Sequence, residues 1–201
     1  MKLRSGMKKR IRISFNAPAV LWFALICTIA TLLNYLTHGA ANQLIFSTYH
    51  SSLGSPLTYL RFVTHVFGHG DWAHLIGNMT YLLLLGPMLE EKYGSKTVVE
   101  VVAITAVVTA VANYIFFPYV ALCGASGVVF AFILMSSFTS FKEGEIPLTF
   151  ILVAVFFIGR EIVDGIFVVD NISNLAHIIG GVVGGLIGYG LNVKSRWKSK
   201  S

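Results

Sequence analysis

Long apolar segments dominate this chain and leave little sequence from which a water-soluble domain could form. Of its 201 residues, 55% are hydrophobic and 12% are charged, whereas an average globular domain is about 25% charged. A membrane-spanning helix needs roughly 20 mainly apolar residues, and fewer where neighbouring protein covers its ends. Six segments qualify, at about 17 to 36, 72 to 89, 97 to 117, 125 to 141, 146 to 167 and 174 to 193. The sequence therefore predicts an all-α, polytopic membrane protein with six transmembrane helices.

Basic residues concentrate at the two ends of the chain. Six of the fifteen Lys and Arg residues lie in the first twelve positions, and four lie between 194 and 200. Because Lys and Arg favour the cytoplasmic side, we expect both termini to be cytoplasmic and the protein to lie in the cell (inner) membrane. The predicted organisation is a basic N-terminal segment at 1–16, a six-helix domain at 17–193 and a basic tail at 194–201.

The net charge and the first apolar segment each allow a second interpretation. A net charge of +6 is compatible with nucleic-acid binding, but these basic residues flank membrane spans, so we expect anionic lipid headgroups as the partner and no nucleic acid. The first segment follows a basic stretch, as in a signal peptide. Its apolar run of about 20 residues exceeds the usual 7 to 15, so we interpret it as a retained signal anchor, with cleavage as the lesser alternative.

Four polar residues interrupt the apolar segments at one predicted depth. Ser126 opens the fourth segment, and His177 lies near the start of the sixth. His74 and Asn78 lie early in the second segment, four residues apart and therefore on one helical face. The three segments run inward in a six-span protein, so these residues share the outer half of the bilayer. Ionisable groups inside a membrane are costly and usually mark a functional site.

This convergence is typical of a serine nucleophile with a histidine base. Each residue alone has a structural explanation, because serine bonds to its own helix and His74 with Asn78 can join helices by hydrogen bonds. Together, Ser126 and His177 supply a nucleophile and a base, while the Ser126 amide, His74 and Asn78 are candidate oxyanion donors. A stripe of small residues, Gly180, Gly184 and Gly188, predicts the close helix approach that such a pair requires.

Between about Leu60 and Gly188, the sequence resembles the rhomboid family of intramembrane serine proteases. The first outer loop, the HxxxN motif of the second helix, the GxSG motif and the sixth-helix motif each have a counterpart. In order, these are Arg61-Phe62-Val63-Thr64-His65 with His69, His74-Leu75-Ile76-Gly77-Asn78, Gly124-Ala125-Ser126-Gly127, and Ala176-His177 with Gly180 and Gly184. One departure is Leu60, where the family often has tryptophan.

The resemblance implies six helices around an outward-open, water-filled cavity, with Ser126 as nucleophile and His177 as general base. It implies an oxyanion hole formed by His74, Asn78 and the Ser126 amide, and an aromatic ring, Phe130, packed against the histidine. Glu90 and Arg61 match structural positions, and Arg160-Glu161 divides a fifth helix that would act as a mobile lateral gate. No cofactor is implied, and the expected substrates are single-span membrane proteins.

Other functional classes are less consistent with the sequence. It contains neither the His-Glu-x-x-His motif of zinc proteases nor a pair of aspartates inside its apolar segments. His65, His69 and His74 have no carboxylate or cysteine nearby to complete a metal site, so we predict no metal. A small transporter would show internal repeats and acidic coupling residues. The main alternative is a catalytically inactive rhomboid-like adaptor that binds membrane-protein clients, although this chain retains both Ser126 and His177. Neither the natural substrate nor the oligomeric state follows from the sequence.

Overall fold

The computed structural model describes residues 15–138, 148–149, 151–153, 155–156, 159 and 171–200, with the side chains of the last segment described for 176–191. Within these residues the regular structure is helical, apart from an isolated antiparallel bridge between Thr48 and Leu122. The α-helices are α1 (Pro18–Leu36), α2 (Pro56–Thr64), α3 (Trp72–Tyr93), α4 (Ser95–Phe116), α5 (Ser126–Ser137) and α6 (Asn171–Lys200). A short π-helix at Asn42–Phe46 precedes α2, and a 3-10 turn at His65–Phe67 follows it. The all-α prediction is confirmed.

Five of the predicted apolar segments correspond to α1, α3, α4, α5 and α6. α1 and α4 are long and apolar enough to cross a membrane, whereas α5 and the Ala176–Leu191 part of α6 are shorter apolar helices. Most of the fifth segment, including the predicted gate at Arg160-Glu161, lies outside the described residues, as do residues 1–14. The count of six spans therefore stays a prediction. α6 continues as helix to Lys200, through most of the predicted tail.

Local sequence signals explain where α3 begins and ends. Asp71 caps its first turn, because its carboxylate accepts a hydrogen bond of 2.7 Å from the His74 N–H. Gly94 ends α3 and leads directly into α4, with φ 84° and ψ 155°. Only glycine adopts this conformation without strain. The chain therefore reverses between two long helices over a single residue.

α5 is the central helix of the described structure. Eight of its twelve residues are buried, and it packs against α3, α4 and α6. A helix that is apolar on every face is typical of the core of a helical bundle. Whatever chemistry α5 carries is therefore surrounded by protein rather than by lipid.

Arg61 organises the segment between α1 and α3. This arginine is buried, its Nε donates a 2.9 Å hydrogen bond to the Leu44 carbonyl, and its guanidinium lies 4.5 Å from the centre of the Tyr49 ring. An arginine can use its stem, its donors and its planar head simultaneously in such a site. It thereby joins α2 to the π-helix and the strand-like residues that follow.

Glu90 joins the end of α3 to the starts of α1 and α4. Its carboxylate is 5% exposed and accepts hydrogen bonds from the N–H groups of Ala19 and Val20, at 2.9 and 3.0 Å. The Ser95 hydroxyl donates a third bond of 2.6 Å. The first N–H groups of α1 have no acceptor within their own helix, so Glu90 satisfies two of them.

We expect Glu90→Ala to destabilise the protein by at least about 2 kcal/mol, because it leaves buried N–H groups without an acceptor. The measurement is the thermal unfolding midpoint of the purified protein in detergent. Glu91→Ala is the matched control, since Glu91 is the exposed neighbour on the same helix. Equal midpoints for the two variants would contradict this role for Glu90.

Candidate active site

Ser126 is the first residue of α5 and follows a sharp turn. That turn depends on Gly124, whose φ is 128°, a value that side chains rarely allow. A β-carbon at Gly124 would also lie 2.9 Å from Cε1 and 3.0 Å from Nε2 of the His74 ring. The GxSG motif therefore requires glycine at this position for two independent reasons, backbone conformation and lack of space.

Asn78 and His74 face the same turn from α3. The Asn78 Nδ2 atom lies 4.0 Å from the position that a Gly124 β-carbon would occupy. Asn78 is 8% exposed, and within the described part of the chain Nδ2 makes no hydrogen bond. A buried donor without a partner costs about 1 to 3 kcal/mol and is rare in folded proteins. The structure therefore has an unpaired donor beside the backbone that leads to Ser126.

His177 lies on α6 and packs face to face with Phe130. The two rings are 4.4 Å apart and nearly parallel, with an angle of 4° between their planes. Phe130 is one helical turn after Ser126, so the stacking holds the imidazole on the side of α5 that carries the serine. His177 also interacts electrostatically with His74. The four polar residues predicted from sequence thus come from three helices into one region.

Glycines allow α5 and α6 to touch through their backbones. A β-carbon on Gly180 would overlap the carbonyl of Gly127, and one on Gly184 would overlap the carbonyl of Ala131. These contacts form a seam between α5 and α6 that continues at Gly188, where a β-carbon would lie 3.3 Å from Met135 Cα. The contacts advance by four residues along both helices, so α5 and α6 run parallel. The sequence predicted this direction for its fourth and sixth segments.

Two buried histidines support the turn from the other side. The Gly124 N–H donates a 2.9 Å hydrogen bond to the His65 carbonyl, and the Ala125 N–H lies 3.5 Å from His69 Nε2. Burial lowers the pKa of both imidazoles from 6.5 to about 4, so both are neutral near pH 7. In the sequence, these two histidines stand out only as members of the loop motif and as possible metal ligands. No signal in the sequence indicated which backbone amides they would meet.

The cysteines and the possible metal ligands add no further site. Cys27 and Cys123 are free thiols, and burial raises the pKa of the Cys123 thiol. Among the described residues, no group of three or more His, Cys, Asp or Glu side chains is arranged to hold a metal ion. The polar groups that converge near Ser126 are serine, histidine and asparagine side chains and backbone amides.

The helical fold and its apolar helices define an integral membrane protein with polar side chains converging inside it. The family model described as the Rhomboid domain matches residues 56–193. The chain belongs to the rhomboid family.

Three relatives show how far this similarity extends. Rhomboid-related protein 2 of Mus musculus is 32% identical over 158 residues, which cover 68% of this chain and 52% of the mouse protein. Rhomboid protease GlpG of Haemophilus influenzae is 26% identical over 133 residues, covering 64% and 68%. Rhomboid protease GluP of Bacillus subtilis is 28% identical over 146 residues, covering 70% and 27%. The chain therefore matches about half the length of the mouse relative, and about a quarter of the Bacillus protein.

We expect Gly184→Ala to lower stability by about 1 to 3 kcal/mol, because its new methyl group meets backbone atoms that cannot rotate away. Gly185→Ala is the matched control on the same helix, since a β-carbon there meets no atom within 4 Å and alanine favours helix over glycine. Thermal unfolding in detergent compares the two variants. A Gly184→Ala protein as stable as Gly185→Ala would mean that the seam is not tightly packed.

Proposed function

We propose that this chain is an intramembrane serine endopeptidase that hydrolyses peptide bonds in or near the transmembrane segments of membrane proteins. The observation that carries the proposal is the Asn78 side-chain amide, whose Nδ2 has no protein partner among the described residues and lies beside the turn that presents Ser126. A buried donor held without a partner is well suited to an oxyanion that exists only during the reaction. Two of the relatives are named as rhomboid proteases, which supports the same class of activity.

In the proposed reaction, His177 takes the proton from the Ser126 hydroxyl as Oγ attacks the scissile carbonyl carbon. The carbonyl oxygen becomes an oxyanion and accepts hydrogen bonds from the Ser126 amide, His74 and Asn78. The intermediate collapses when His177 returns the proton to the leaving amine, which leaves an acyl-enzyme on Ser126. A water molecule, deprotonated by the same histidine, then releases the second product and restores the serine.

Each supporting residue has a physical task in this scheme. Phe130 fixes the plane of the His177 ring by stacking, so the dyad needs no acidic third member to orient its base. Gly127, Gly180 and Gly184 let α5 and α6 approach closely enough for a serine and a histidine on different helices to exchange a proton. Gly124 provides the turn that exposes the Ser126 amide.

The proposed substrates are single-span membrane proteins, cut toward the outer end of the helix. A peptide bond within a helix is covered by its own hydrogen bonds and must become extended before Ser126 can reach its carbonyl. Segments that unwind easily are therefore the expected targets. The charge distribution supports placement in the cell (inner) membrane with both termini cytoplasmic. The outer cleavage product would then be released on the side of the membrane away from the cytoplasm.

We expect Ser126→Ala and His177→Ala each to abolish cleavage of a generic single-span substrate by the purified protein in detergent. The physical reason is that the reaction needs both a nucleophile and a base to activate it. Ser137→Ala is the matched control, because Ser137 is a half-buried serine of the same helix whose hydroxyl donates to the Ile133 carbonyl. The readout is the rate of product formation, with unfolding midpoints confirming that every variant is folded.

The same experiment also tests the alternative function, a catalytically inactive rhomboid-like adaptor. Folded wild-type protein that binds several single-span substrates and cleaves none would favour the adaptor and contradict the protease. Cleavage that persists in folded Ser126→Ala would instead mean that another residue is the nucleophile.

We expect Asn78→Ala to lower kcat by about 10²- to 10³-fold with little change in KM, since oxyanion donors act mainly in the transition state. The control is Thr80→Ala, because Thr80 is exposed on the same helix and bonds to the Ile76 carbonyl of its own turn. Steady-state cleavage kinetics separate the two parameters. A rise in KM at constant kcat would assign Asn78 to substrate binding instead.

A further inference from the structure

His69 is a fully buried histidine to which the proposed reaction gives no task. It lies in the loop between the 3-10 turn and α3, and is 0% exposed. Its Nδ1 atom is 3.1 Å from the Phe67 carbonyl oxygen, and its Nε2 atom is 3.5 Å from the Ala125 nitrogen. A carbonyl can only accept a hydrogen bond and a backbone N–H can only donate one. The ring is therefore neutral, with its proton on Nδ1 and a lone pair on Nε2 aimed at Ala125.

The backbone of His69 is itself held by two side-chain amides. Its carbonyl oxygen accepts hydrogen bonds from Asn42 Nδ2 at 3.0 Å and from Asn34 Nδ2 at 3.4 Å. The two asparagines are also joined, because the Asn42 N–H donates to Asn34 Oδ1 at 3.1 Å. His69 thus has a fixed position relative to α1 and the π-helix. A group that contacts its imidazole is therefore also held in place relative to α1 and the π-helix.

The imidazole touches the backbone immediately before the proposed nucleophile. The N–H groups of Gly124 and Ala125 are directed to His65 O and His69 Nε2, in succession. The next amide belongs to Ser126, the first residue of α5, and has no acceptor within its own helix. Orienting two consecutive peptide groups limits the direction of the third. This restraint matters because the flexible Gly124 precedes them.

We propose that His69 is a positioning residue that holds the Gly124–Ser126 backbone so that the Ser126 amide and hydroxyl face the oxyanion donors of α3. The inference rests on the proposed protease function and deepens it. The His69 ring also packs edge to face against the His74 ring, with 5.0 Å between centroids. One buried imidazole therefore contacts both the nucleophile turn and a proposed oxyanion donor.

The neutral state of His69 is required for this role. Protonation would place an N–H on Nε2 opposite the Ala125 N–H and would break the contact. The titratable groups that influence the ring are His74 and the Asp71 carboxylate, of which Asp71 alone favours the cation. Burial disfavours the cation, as does the neighbouring His74. Because the pKa of His69 is lowered to about 4, the contact is maintained near neutral pH.

The test compares two substitutions that each keep half of the His69 hydrogen bonding. In His69→Gln, the amide reaches the Nε2 position and retains an acceptor for Ala125. In His69→Asn, the shorter amide keeps the donor to Phe67 and loses that acceptor. We expect His69→Asn to lower kcat on the order of 10- to 100-fold at nearly constant KM, the cost of a misplaced reacting group. His69→Gln should stay close to wild type.

A second measurement reads the contact without relying on catalysis. Amide hydrogen exchange at Ala125, followed by NMR in detergent, should be slow in the wild type and His69→Gln and faster in His69→Asn. If the wild type cleaves no substrate, the proposed function fails while this exchange comparison still decides the role of His69. Equal kcat and equal exchange in the two variants would overturn the inference.

Ala125→Pro alters the contact from its other side and keeps the His69 residue, although the proline Cδ takes the place of the N–H and the imidazole must move to make room. Proline removes the donor N–H, and the Ala125 φ of −80° is close to the value that proline imposes. If His69 acts through this N–H, Ala125→Pro should lower kcat, and adding His69→Asn should cause no further loss. If the kcat of the double variant instead falls by the product of the two single reductions, the inference is contradicted. This comparison holds even if His69→Asn alone folds poorly.

Discussion

The backbone contact between α5 and α6 is the constraint on which the rest of the structure depends. Gly180 meets Gly127, and Gly184 meets Ala131, with no room for a β-carbon at either glycine. A membrane provides no hydrophobic force to press two apolar helices together, so tight van der Waals packing of small residues has to do so. That packing brings His177 to the face of α5 that carries Phe130 and Ser126.

Many polar groups inside the bundle are hydrogen-bonded, and Asn78 is one of five described residues with a buried side-chain atom that has no protein partner. Glu90 accepts three hydrogen bonds, and the His69 carbonyl accepts two. Asn78 differs, because its buried Nδ2 has no partner within the described residues. Unpaired donors persist at functional sites, where a transient charge repays their cost. The fold thus leaves the Asn78 donor available beside the turn that leads to Ser126.

Periodicity and depth allowed much of the fold and the candidate site to be predicted from the sequence. Apolar runs identify five of the described helices, and the four-residue spacing of glycines predicts the seam. Alternating span directions predict that Ser126, His177, His74 and Asn78 share one depth. The contact between His69 and Ala125 could not be predicted, because it joins a side chain to a backbone amide 56 positions away. Residue types do not reveal such a contact, because every residue except proline has a backbone N–H.

Direct labelling is the simplest test of whether Ser126 is a nucleophile activated by His177. A serine-reactive fluorophosphonate is added to membranes containing the protein, and peptide mass spectrometry locates the adduct. We expect an adduct on Ser126 in the wild type and a strongly reduced adduct on Ser126 in His177→Ala. No adduct is expected on Ser137, the half-buried serine of the same helix. Folded protein without an adduct on Ser126, or with equal labelling in His177→Ala, would contradict this activation of Ser126 by His177.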